Sequence, residues 1–155
     1  MNMKIELIKQ KFDHSRGYKY KPLHYCCDKL KESTVVQLSD ECPAESNICD
    51  EDGRIPQMML HEFEIINSYG DEWQADYYYP IRFCPFCGES IKIKVISTED
   101  KTEYYNYLTK ERAEVWKRCQ ETDSKTEEQN LLRKRQELDD LIDNLYEFVE
   151  YKEEQ

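Results

Sequence analysis

Phe83-Cys84-Pro85-Phe86-Cys87-Gly88 constrains this chain more than any other stretch, because two thiols two residues apart on a tight turn form half of a tetrahedral metal site. The proline stiffens the turn, and the glycine can take the positive φ that lets backbone N–H groups point back at the sulfurs. C-P-x-C-G therefore predicts a knuckle, with zinc as the cofactor. A plain hairpin carrying two reduced cysteines is the bland alternative. A thioredoxin-like redox pair belongs at a strand-to-helix junction, whereas Ile91-Lys92-Ile93-Lys94-Val95-Ile96 follows here with strand alternation.

A structural zinc site takes four ligands, so Cys84 and Cys87 need a second pair. Cys26 and Cys27 are favoured. They end an aromatic, basic, extended stretch and precede a short helix expected from Asp28 to Val36. Successive side chains of a strand diverge, so both can chelate only if the chain kinks between them, and His24 could replace one. Cys42 with Cys49, in an acidic loop, is the looser alternative, and a mixed set drawn from both pairs is the third.

The remaining elements predict an α+β fold: a small antiparallel sheet of the zinc-ribbon kind followed by a C-terminal helical hairpin. Lys4 to Ile8 fits either a strand or a helical period and is read as a strand. Residues 39–57 carry six Asp/Glu with Pro43, Gly53 and Pro56, too polar to bury much, and are read as an exposed loop. Ser68-Tyr69-Gly70-Asp71 reads as a turn, and Trp73 to Phe83 as an aromatic strand entering the knuckle and sharing its sheet with Ile91 to Ile96. The expected organisation is a zinc-ribbon-like domain over 1–97 and a helical tail over 98–155.

In the tail, Ser97 to Asp100 offers a cap, after which Tyr105, Leu108, Arg112, Val115, Trp116 and Cys119 recur at helical spacing. Ser124-Lys125-Thr126-Glu127 is a capping box for a second helix, with the break expected near 120–124. Leu131, Leu138 and Leu145 then repeat every seven, joined by Leu141, Ile142, Phe148 and Val149. That stripe wants a partner helix, either within the same chain as an antiparallel hairpin or as a coiled-coil homodimer or docking seam.

Net charge is -11, yet the ends differ. Residues 1–36 hold eight Lys/Arg against four Asp/Glu, and residues 137–155 hold eight Asp/Glu against one Lys. The overall charge opposes nucleic acid and anionic membranes as partners. The chain opens with no signal-peptide pattern and has no apolar run of membrane length, so a cytoplasmic setting is expected, in which the seven cysteines are metal ligands or small buried hydrophobes.

The Cys26-Cys27-Asp28-Lys29-Leu30-Lys31-Glu32 segment and the Tyr78-to-Ile91 segment around the knuckle resemble those of small zinc-ribbon proteins common in phages and prophages. The likeness covers these two patches. It implies a fold core, a bound zinc and a binding role in a host cytoplasm, without naming an activity. The three histidines, 14, 24 and 61, sit in no catalytic frame, and an all-cysteine site leaves no open coordination position, so no enzyme is expected. The favoured function is a protein-interaction module that modulates or inhibits a host protein. A nucleic-acid-associated ribbon using Lys9, Lys11, Arg16, Lys19, Lys21, Arg82, Lys92 and Lys94 is the alternative.

Overall fold

The computed structural model describes residues 2–13, 15–44 and 54–153, and confirms an α+β fold in which sheets are followed by a helical hairpin. Its strands are β1 (Met3–Phe12), β2 (Ser15–Tyr20), β3 (Val36–Ser39), β4 (Gln57–Ser68), β5 (Asp71–Pro80) and β6 (Ile91–Asp100). Its helices are α1 (Asp28–Glu32), α2 (Thr102–Glu121) and α3 (Lys125–Tyr146).

Two three-stranded sheets replace the one expected. β3-β4-β5 is antiparallel throughout, whereas in β2-β1-β6 the last two strands run parallel. The strand entering the knuckle and the strand leaving it therefore belong to different sheets, and the bridge between Phe83 and Ser90 pairs the chain between them. Local strand signals carry no information about partners that lie far apart in sequence, which is why the pairing of β6 with β1 was not foreseen.

β1 is covered on both faces, at opposite ends. Met3, Ile5 and Leu7 pack with Tyr18, Leu30, Val36, Met58, Cys84 and Ile91 in a core shared by the two sheets. Ile8, Gln10 and Phe12 point the other way and are buried on the side where the hairpin docks. This change of covered face makes the apolar spacing of β1 fit a helical period as well as a strand.

The helix expected over Asp28 to Val36 stops at Glu32. The Ser33 hydroxyl accepts from the N–H groups of Val35 and Val36, at 3.3 and 3.0 Å, and the β-branched residues that follow lead into β3. The turn at Tyr69-Gly70 is as expected, with φ of 50° and 83°, the paired positive values of a two-residue hairpin.

The tail forms two helices folded on each other, broken between Glu121 and Lys125 as expected, with the Ser124 side chain accepting from the Glu127 N–H. The Ser97 to Asp100 stretch instead extends β6, pairing with Ile8 to Lys11, and of its residues Asp100 supplies a bond to the Thr102 N–H at 2.9 Å. Leu108, Val115, Cys119, Leu131, Leu138, Ile142 and Leu145 make the buried seam, completed by Phe12. Four expected apolar seam residues lie elsewhere. Leu141 is exposed, Trp116 lies on the outer surface under the Arg135 guanidinium, 4.1 Å from its ring centroid, and Phe148 and Val149 fall beyond the helix, where Phe148 packs on Tyr20 and the Val149 carbonyl accepts from the Tyr20 N–H.

The hairpin is latched to the first sheet. Gly17 lies so close to the end of α3 that a Cβ would collide with the Leu145 carbonyl oxygen. Beside it the buried Lys19 ammonium donates to the carbonyls of Asn144, at 2.5 Å, and Glu147, placing a cation at the negative end of a helix whose own last turn has none. Beyond α3 the chain returns along β2, where Tyr20 N–H donates to Val149 and Tyr151 N–H to Tyr20.

Candidate metal centre

The knuckle and the vicinal cysteines reach one point from opposite sides of the shared core. In the knuckle, Cys84 N–H donates to the Glu89 carbonyl at 2.8 Å and Gly88 N–H to the Cys84 carbonyl at 2.9 Å, with Gly88 at φ 78°. A Cβ at Gly88 would meet open space, so its requirement is for backbone conformation. On the other side the chain bends at Cys26 and Cys27 immediately before α1, which supplies the kink that two successive ligands need. Leu30, fully buried three residues on, pins α1 to the core and aims its N–H at the Cys27 sulfur.

The sulfurs of Cys26, Cys27, Cys84 and Cys87 all lie within 4.8 Å of one another. Cys27 Sγ is 3.7 Å from Cys84 Sγ, and Cys87 Sγ is 3.4 Å from Cys26 Sγ. A tetrahedron with metal–sulfur bonds of about 2.3 Å has its sulfurs about 3.8 Å apart, so this cluster could hold a metal ion with little adjustment.

The electrostatics of the bare cluster favour the same conclusion. Burial pushes the Cys84 thiol up, but N–H groups of Phe86 and Cys87 and the neighbouring thiols outweigh it, leaving Cys84 at about 7. Burial, with bonds to Cys87 and Cys84, pushes Cys26 up to about 12. At Cys27 the Leu30 N–H favours the thiolate, yet burial and the same two thiols win and raise it. Four thiols this close cannot all ionise unaided, and a dication at the centre removes that penalty.

Cys84 is buried and Cys87 exposed, so the centre sits at the surface with its apolar side against the shared core. Among the described residues, neither His24 nor any carboxylate joins the four sulfurs. Cys42 is disulfide-bonded, which departs from the expectation that every thiol stays reduced and withdraws it as a ligand. Cys49 and His14 lie outside the described residues, as do residues 45–53 of the acidic loop. Cys119 is a small buried hydrophobe of the hairpin. His61 is held by Asp76 at 2.8 Å and stacks on Tyr78, a cross-strand arrangement remote from the thiols.

The knuckle turn is expected to point backbone N–H groups at its sulfurs, and those of Phe86 and Cys87 do so at Cys84. Sequence reasoning passed over the Leu30 N–H at Cys27, for which an apolar residue three positions on was the one signal. No protein-family model, curated protein or solved structure matches this chain. Among the described residues, no helix is long and apolar enough to cross a membrane.

Proposed function

We propose that this chain is a zinc-stapled protein-interaction module, which binds another protein through acidic and aromatic surface and turns over no substrate. The carrying observation is the cluster of four sulfurs. Four thiolates suit zinc, fill all its positions and leave none for a water or a substrate. Zinc ribbons of the kind that the Cys26 and Cys84 segments resemble serve as binding modules, which agrees with an interaction role; that the partner is a host protein is part of the proposal.

The charge map favours a protein over a nucleic acid. Of the cations that a nucleic-acid surface would need, Lys19 is buried and spent on the end of α3. Purified chain, loaded with zinc, tests the reading. A partner protein captured from a host lysate should rebind when purified, while single- and double-stranded nucleic acid should not bind in the nanomolar range at physiological salt. Nanomolar nucleic-acid affinity, or hydrolysis of nucleotides abolished by one cysteine substitution, would overturn it.

A further inference from the structure

Among the described residues, the outer part of the β4–β5 hairpin has no third strand beside it. β3 pairs only with Gln57 to Leu60, so from Glu62 to Ser68 and from Asp71 to Tyr77 the chain is a two-stranded ribbon, about 20 Å long. Such ribbons are marginal in water unless something covers them. This one exposes large apolar side chains on both faces. Phe63 (62 % exposed) and Ile65 (49 %) lie on one, Trp73 (47 %) on the other, and Tyr69 is fully exposed at the tip. The outer edge of β5 from Asp71 to Asp76 has no strand neighbour among the described residues.

Charge says what would cover it. The chain has 22 Lys and Arg, yet none between Arg54 and Arg82, while Glu62, Glu64, Asp71, Glu72 and Asp76 all lie on the ribbon. Glu62, Asp71 and Glu72 have no side-chain partner among the described residues. A second copy of the ribbon would set carboxylates against carboxylates, and nucleic acid would be repelled likewise.

We propose that the edge of β5 between Asp71 and Asp76 takes an extended segment of a partner protein, in which Lys or Arg alternates with apolar residues, added as a further strand. Main-chain hydrogen bonds hold it; its apolar side chains fall on the Trp73 face of β5, and its cations fall on the opposite face, beside Glu72 and Asp76. This rests on the interaction reading above and names the surface and the chemistry of its partner.

The test uses the full zinc-loaded chain and short strand-forming peptides alternating Lys or Arg with Val or Tyr. Their controls carry Glu in place of the cations, or N-methyl groups on alternate residues in either register. The basic peptide should bind, protect amides of Asp71 to Asp76 from exchange, and lose at least tenfold in affinity when salt rises from about 0.15 to about 1 M, where the Debye length falls from about 8 to 3 Å. One N-methyl register should abolish binding and the other should not. Joint replacement of Glu62→Gln, Glu64→Gln, Asp71→Asn, Glu72→Gln and Asp76→Asn should weaken binding at least tenfold, with metal content and amide exchange in α2 and α3 unchanged. Equal binding of the acidic peptide, indifference to both N-methyl registers, or protection that grows with the chain's own concentration and without peptide would overturn the proposal. A purified protein partner lost on neutralising Asp139, Asp140 and Asp143, but indifferent to the ribbon substitutions, would overturn it while leaving the interaction reading intact.

Discussion

The half of the molecule built around the cysteines and the half built from two helices solve the same problem differently. The hairpin buries a continuous stripe from Leu108 to Leu145, in which each residue meets neighbours three or four positions away and the facing helix. The sheet half has no such stripe. Its buried residues are three from β1 and one each from β2, α1, β3, β4, the knuckle and β6, and the four sulfurs stand where a larger apolar core would otherwise be needed. The comparison teaches that a metal is structurally valuable where the contacts are non-local, because it fixes in one place segments separated by more than fifty residues.

Removing the metal should produce the largest effect and should strike the two halves unequally. Cys84→Ser, or a strong chelator, should abolish amide protection in β3, β4 and β5, since structural zinc is worth about 10 kcal/mol or more. The helices should keep most of their circular dichroism and their protection. Equal loss in both halves would show that the hairpin has no stability of its own, and the contrast drawn here would fail.

Within the hairpin, Leu138→Ala should cost about 2–4 kcal/mol in denaturant unfolding without releasing metal. Leu141→Ala should cost only a few tenths, because that side chain is exposed. A larger cost that also depends on protein concentration would instead mark Leu141 as a dimer contact, which light scattering would confirm.

The latch between the halves comes next. Gly17→Ala should cost about 1–3 kcal/mol, because the Cβ has no room beside the Leu145 carbonyl. Lys19→Met should cost about 2 kcal/mol by leaving the Asn144 and Glu147 carbonyls without their charged donor. Both should loosen the hairpin's exchange protection before that of the thiol cluster.

The smallest expected effect is a dependence on acid at Glu99, which receives Tyr151 OH at 2.6 Å and Gln10 Nε2 at 3.0 Å. The Tyr151 bond, opposed by burial and aided by Gln10 and Lys101, holds its carboxyl below the usual glutamate range. A depressed folded value means the carboxylate's contribution is complete above the ordinary glutamate range and is lost as pH falls through the folded value. Acid should therefore release the 147–151 return segment only as pH falls below the ordinary glutamate range, and Glu99→Gln should flatten that part of the stability profile.

Legibility followed the same divide. The helices, their break and the Ser124 cap could be read because helical contacts are local and their spacing is written in the residues themselves. The heptad reading went too far at Leu141 and Phe148. α3 presents a narrow stripe to α2, with Ile142 on it and Leu141 beside it, and Phe148 lies past the helix end in the other core. In the sheet half Cys26, Cys27, Cys84 and Cys87 stood out by residue type and spacing. The parallel pairing of β1 with β6 could not be read, since it joins residues more than half the chain apart, and neither could the use of both faces of β1.

The central claim is that these four thiols hold one zinc ion. Protein prepared without chelator should contain about one zinc per chain, and X-ray absorption should show four sulfurs at about 2.3 Å and no nitrogen or oxygen in the first sphere. Less than about half an equivalent of metal, a nitrogen or oxygen ligand in that sphere, or full zinc retention by the Cys26→Ser, Cys27→Ser double variant would contradict it.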